Sequence, residues 1–229
     1  MTPYYQDDAV TIYHGDALDV LPLLRGDAVI SDPPYGVGVS YGPSYDDARA
    51  DYWPWMRECV ALMRQTAPVV AFTHRVAAIA ELTGWDWVAV WDKGKAFGPR
   101  VGNSPIVAGW EAVLLYGIHS IGTKGPGLPD VIRVHPTPST NVTDGALGRD
   151  KWKRGQTGHP VPKPTALYAT LVRALTSEAD TVLDPFAGSG STLVAAKEAA
   201  RKAIGIEIEE RYCEIAANRC RQEVLGLPA

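Results

Sequence analysis

Thr181-Val182-Leu183-Asp184-Pro185-Phe186-Ala187-Gly188-Ser189-Gly190-Ser191-Thr192 decides how this chain is read. A short apolar run ends at a carboxylate, a glycine-bearing turn follows, and residues Ser191 to Ala200 continue as a helical pattern. Strand, turn and helix in so few residues make the βα unit of a parallel sheet. Glycines let the backbone approach a ligand closely, and the helix N-terminus offers free N–H groups at the positive end of a dipole. A carboxylate suits that position. Two common nucleotide readings fail on residues. A phosphate loop needs Lys where Ser191 follows Gly190, and the dinucleotide fingerprint needs Gly or Ala where Leu193 stands. The plain alternative is a tight turn that packs strand on helix. After the next apolar run, Ala203 to Ile208, Glu207 is placed to accept bonds from ribose hydroxyls.

The pattern repeats outward from this unit. Strands are expected at Val10 to His14, Asp27 to Ser31, Pro68 to Phe72, Trp85 to Trp91, Trp110 to Tyr116, Thr181 to Asp184 and Ala203 to Ile208. Helices are expected near Ala17 to Leu24, Ala50 to Gln65, Arg75 to Leu82, Thr165 to Thr176, Ser191 to Ala200 and Glu209 to Val224. At 229 residues and 46% hydrophobic content, this is one α/β domain over 1–229 with a mostly parallel sheet. Eight glycines and five prolines between Gly117 and Pro160 leave little room there for a regular element. The segment Gly36 to Trp53, with Tyr41 and Tyr45, reads as a lid or an ordinary surface loop.

A second segment, Asp32-Pro33-Pro34-Tyr35, follows the apolar run Asp27 to Ser31. Asp32 therefore stands at the carboxyl end of a buried strand, where open α/β sheets bind their ligands. Each proline restricts the residue before it to extended geometry, which fixes the Asp32 side chain and the Pro33 carbonyl as aimed acceptors. Alone, the tetrapeptide is most simply a turn.

With 22 Lys and Arg against 26 Asp and Glu, the chain is not coated in positive charge. A polyanion would need a local patch, and the densest is Arg149-Asp150-Lys151-Trp152-Lys153-Arg154, basic residues around an aromatic ring. A solvated basic loop is the bland alternative. Cys59, Cys213 and Cys220 form no CxxC pair, and no signal-like start is present, so a reducing, cytoplasmic setting is expected. No apolar run reaches membrane-spanning length, and the five scattered histidines suggest no metal site.

Taken together, Asp32 to Tyr35 and Phe186 to Thr192 resemble the catalytic and cofactor segments of the DNA amino-methyltransferases, in the permuted order called the beta class. The resemblance extends to Tyr13-His14-Gly15-Asp16, Val69 to Thr73, Trp91-Asp92-Lys93 and Trp110 to Leu114 as strands lining the base pocket, His159 to Pro164 and Tyr212. It departs in carrying Trp110 where the family often has His. It implies a Rossmann-like, seven-stranded sheet with one antiparallel strand, and a target-recognition insertion over 95–158. By the same resemblance, S-adenosylmethionine would be held by Asp16, Asp32, Lys163, Asp184, Phe186, Ala187, Gly188, Ser189, Gly190, Ser191, Thr192, Glu207 and Ile208. Catalysis would fall to Asp32, Pro33, Pro34 and Tyr35. Double-stranded DNA would meet Tyr35, Lys93, Arg149, Lys151, Trp152, Lys153 and Arg154.

The chemistry implied is methyl transfer to an exocyclic amine. Such an amine is a poor nucleophile because its lone pair is delocalised into the ring. Acceptors aimed at its N–H bonds favour the pyramidal, attacking nitrogen. Tyr35 offers a flat face to a base flipped out of the duplex. Adenine N6 is the first expectation, since Asp at the head of the tetrapeptide leans towards adenine in that family, and cytosine N4 is the second. Methylation of RNA or a small amine, or a non-catalytic nucleic-acid-binding role, would use the same fold. Cytosine C5 chemistry needs a thiolate, usually after proline, and Glu58, Tyr212 and Arg219 precede the three cysteines. The short recognition region suits a dimer or a short target site, and a partner restriction nuclease would be a separate chain.

Overall fold

The computed structural model of the protein describes residues 1–94, 106–121, 127–135 and 163–222. Among these, nine strands form one sheet. Its spatial order is β1 (Tyr5–Gln6), β2 (Val10–His14), β9 (Lys202–Glu207), β8 (Thr181–Asp184), β3 (Ala28–Ser31), β4 (Val69–His74), β6 (Trp110–Tyr116), β5 (Trp87–Asp92) and β7 (Val131–Arg133). The seven strands from β2 to β5 in that order form the expected sheet. All run parallel except β6, which pairs antiparallel with both β4 and β5.

Two edge strands are additional. β1 pairs antiparallel with β2, and β7 runs parallel to β5. Both are too short to show a period-two pattern in sequence. β7 also corrects the expectation for Gly117 to Pro160, because Val131-Ile132-Arg133 does form a regular element there. Within 95–158, therefore, β6 and β7 belong to the sheet itself.

Among the described residues six α-helices cover its two faces: α1 (Ala17–Val20), α2 (Tyr52–Thr66), α3 (Ala78–Glu81), α4 (Thr165–Leu175), α5 (Ser191–Glu198) and α6 (Glu210–Arg221). α2 buries Tyr52, Trp55, Met56, Cys59, Val60 and Met63, the i, i+3, i+4 stripe of an amphipathic helix. They pack with Val29, Val70, Phe72 and Leu114 on one face of the sheet. Leu167, Leu171 and Val172 of α4, Leu193 of α5 and Cys213 and Ala216 of α6 pack on the other. Covered on both sides, β3 and β4 are buried at every residue and read as continuous apolar runs. Two helical expectations shrink. Pro22 turns the end of the first helix into a 3-10 turn, Leu21–Leu23, and only Ala78–Glu81 of the third is helical.

The topology positions the site. β3 and β8 lie side by side at the point where the strand order reverses, the crevice in which open α/β sheets hold ligands. Residues after β3 and residues after β8 thus emerge together. Because β6 runs the other way, its first residues, Trp110 and Glu111, reach the same edge.

Candidate active site

The loop after β8 borders a cavity of about 400 Å³. Gly190 adopts a left-handed conformation (φ 80°), and an added Cβ would stand 2.9 Å from Ala216 on α6. Only glycine lets the loop turn this tightly into α5. Asp184 Oδ1 accepts from Ser31 Oγ at 2.6 Å and from the Phe186 N–H at 3.1 Å, and burial pushes its pKa up to about 6. Glu207 accepts from the Gly188 N–H at 2.8 Å and the Glu209 N–H at 2.9 Å, and burial raises it to about 7. On the opposite wall Asp16 caps α1 through Leu18 N–H at 2.8 Å.

The segment after Tyr35 covers part of this cavity. The Asp47 carboxylate accepts the N–H groups of Gly36, Val37 and Val39 at 2.8–2.9 Å, and Glu209 accepts the Ser44 N–H at 2.7 Å. Tyr41, Ser44, Tyr45, Asp46 and Arg49 are thereby brought against the cavity. At Gly36 (φ 65°) an added Cβ would meet the Tyr52 ring at 2.6 Å, so the chain turns there against α2.

Asp32 stands between this cavity and a buried ionic cluster. Its Oδ1 accepts from Thr73 Oγ1 at 2.5 Å, lies 3.0 Å from the Tyr35 hydroxyl and is 3.4 Å from Lys163 Nζ. Among the described residues nothing bonds Oδ2, and the residue lines the cavity. Lys163 also donates to the Tyr35 hydroxyl at 2.8 Å and to Glu111 at 2.7 Å. Tyr35 has one hydrogen to give, and Glu111 Oε2 at 2.6 Å takes it. The second Glu111 oxygen pairs with Lys93 at 2.5 Å.

The protonation states follow from this packing. Burial would raise Glu111, but Lys163 and Lys93 hold it down, at about 2. Burial alone would lower Lys163, but Asp32 and Glu111 raise it. Burial raises Asp32 above the ordinary carboxylate value, against the pull of Lys163. Behind the Tyr35 ring, His74 stacks at 4.7 Å between centroids and 17° between planes. Tyr52 donates to the Pro34 carbonyl at 2.5 Å, so the His74 Nε2 at 2.6 Å must be the N–H that donates to Tyr52. Burial drops His74 to about 3, and it stays neutral.

Of the residues expected at the cofactor, all but Gly190 line one cavity, and Gly190 instead caps α5. Lys163 lines it too, but its ammonium serves Asp32, Tyr35 and Glu111. Lys93, expected to meet DNA from a strand lining the base pocket, is 7% exposed and paired with Glu111 in the wall of the site. Arg149, Lys151, Trp152, Lys153 and Arg154 lie outside the described residues. Sequence reading missed Thr73, Tyr168 and Arg219. Glu111 was legible only through resemblance to a strand lining the base pocket, and His74 only as one of five scattered histidines. The three cysteines are buried, none lines the cavity, and burial raises their thiols to about 12, 12 and 11. None supplies a thiolate nucleophile.

A family model described as DNA methylase, covering N6 and N4 enzymes, matches residues 90–218, more than half of the chain. The chain belongs to the DNA methylase family. The methylase is 29% identical to the type II methyltransferase M.HpaI of Haemophilus parainfluenzae over 224 residues, covering 87% of this chain and 69% of that protein. Its fold matches that of the PvuII cytosine-N4-specific DNA methyltransferase with a TM-score of 0.70 at 17% identity, over 98% of this chain and 90% of that one. It also matches the M1.HpyAVI–SAM complex, with a TM-score of 0.61 at 24% identity, over 93% and 99% of the two chains. Among the described residues of the methylase, no helix is long and apolar enough to cross a membrane.

Proposed function

We propose that this DNA methylase transfers a methyl group from S-adenosylmethionine to N6 of adenine in DNA. The observation that carries the reading is Asp32. One of its oxygens is engaged by Thr73 and Lys163, and the other is left for the cavity that the glycine loop also borders. The cavity residues suit the cofactor. Glu207 offers a carboxylate to ribose hydroxyls, Asp16 offers a second to the adenine end, and the α5 N-terminus with Ser189 offers donors to a carboxylate. When bound, the cofactor supplies an electrophilic methyl group on a sulfonium.

In this reading Asp32 Oδ2 and the Pro33 carbonyl accept the two N–H bonds of the amine. That stabilises the pyramidal nitrogen as its lone pair turns to the methyl group. A base in a duplex cannot enter, so it is flipped and stacks on the face of Tyr35 opposite His74. Lys163, Glu111 and Lys93 hold the Tyr35 hydroxyl and Asp32 in place. Target recognition falls to parts of 95–158 outside β6 and β7, with Arg149, Lys151, Trp152, Lys153 and Arg154 on the DNA backbone. Cytosine N4 is the second reading, because the same acceptors serve either amine and the fold is shared with a cytosine-N4 enzyme.

Asp32→Ala tests the assignment. Cofactor affinity stays within about twofold while methyl transfer falls by at least about a hundredfold, the loss typical of a preorganised polar group. Unchanged turnover removes Asp32 from the chemistry.

A further inference from the structure

Arg219 lies on α6, outside the cavity wall, yet its guanidinium serves the donor loop. Nη1 donates to the Ser189 carbonyl at 2.6 Å, the Ser189 hydroxyl at 3.0 Å and the Ser191 hydroxyl at 3.2 Å, and Nη2 to Thr165 Oγ1 at 3.2 Å. All of these acceptors are neutral. Among the described residues no carboxylate lies within 4 Å of the guanidinium. Arginine keeps its charge at any ordinary pH, so a half-buried cation stands here with no adjacent counter-ion among the described residues. α4 and α5 both begin at this place, at Thr165 and Ser191, and neither has a side-chain cap. Two helix N-termini and an arginine thus add their positive potential at one end of the cavity.

A guanidinium only donates, so both serine hydroxyls accept from it. Ser191 passes its own hydrogen to the Lys163 carbonyl at 2.9 Å, which ties the loop to the lysine beside Asp32. The Ser189 hydroxyl has no acceptor among the described residues, although the residue is only 5% exposed and lines the cavity. A buried donor left unmade is costly, and an anion in the cavity would satisfy it.

We propose that Arg219 is a positioning residue for the anionic end of the bound cofactor, holding the Ser189 and Ser191 hydroxyls and supplying the positive charge that the methionine carboxylate balances. This rests on the cofactor reading of the same cavity. Calorimetric titration of the whole protein with S-adenosylhomocysteine and with 5′-methylthioadenosine, which lacks the amino-acid end, separates the two. Arg219→Met weakens S-adenosylhomocysteine binding about tenfold, the scale of one charge-assisted hydrogen bond, and leaves 5′-methylthioadenosine within about twofold. Arg219→Lys recovers part of the loss, and Ser189→Ala reproduces its selectivity. Equal losses on both ligands make Arg219 merely structural and overturn the proposal, as does no loss. If Arg219→Met fails to fold by circular dichroism, Ser189→Ala decides on the same two criteria. A wild-type protein that binds neither ligand sinks the cofactor reading as well. One that binds the first ligand but shows no selective loss in the variants sinks this inference alone.

Discussion

Replacing Glu111 with Gln removes the centre of the buried ionic cluster while keeping its size. Glu111 is 13% exposed in its side chain and takes bonds from Lys93 at 2.5 Å, Lys163 at 2.7 Å and Tyr35 at 2.6 Å. Its folded pKa is about 2 against an ordinary 4.5, a difference worth about 3 kcal/mol. Because the folded value is depressed, this stability is present above pH 4.5 and is lost as pH falls from 4.5 towards 2. The mutational scale agrees, since breaking a buried pair by removing one partner costs about 3–5 kcal/mol. For a chain of this length the melting temperature drops by about 6–20 °C. Urea and thermal unfolding of Glu111→Gln, Lys93→Met and the double variant measure it. The double variant is less destabilised than the sum of the singles by at least about 1.5 kcal/mol, because Lys93 no longer needs its partner. A loss under about 1 kcal/mol in Glu111→Gln, or strict additivity, refutes the picture of a charge-balanced cluster.

The remaining expectations concern the cofactor and the DNA. Glu207 is raised to about 7 by burial, so the free protein loses stability as pH rises from 4.5 to 7. A ribose hydroxyl bonds the ionised form, so cofactor affinity rises about tenfold between pH 6 and pH 8. Calorimetry across that range checks this, and a Glu207→Gln variant with the same slope removes Glu207 from the site. Neutralising Lys151, Lys153 and Arg154 lowers the slope of log affinity against log salt by up to about 3 if each meets a phosphate. An unaltered slope places the backbone contact elsewhere.

Much of the fold was legible because its strands are covered on both faces. β3, β4 and β8 are continuous apolar runs, and β2, β6 and β8 begin and end where the pattern does. The edge strands β1 and β7 were not, since two or three residues carry no period. In the site, the glycine loop and the Asp-Pro-Pro-Tyr turn announce themselves through backbone requirements that few residue types meet. What sequence could not supply was proximity. Glu111 reaches Asp32 only because β6 runs antiparallel beside β4. Arg219 grips a loop 30 residues earlier only because α6 packs on Gly190. Lys93 could be placed at the base pocket only by resemblance, and its burial depends on Glu111 across the sheet.

The central claim is that Asp32 and the glycine loop together methylate an exocyclic amine in DNA. The most direct test incubates the protein and its Asp32→Ala variant with duplex DNA and isotopically labelled S-adenosylmethionine, then identifies labelled nucleosides by mass spectrometry. Label appears in N6-methyladenine from the wild type and is lost in the variant, and label in N4-methylcytosine would keep the mechanism while moving the base. Cofactor binding with no label in DNA, or label at cytosine C5, would contradict it.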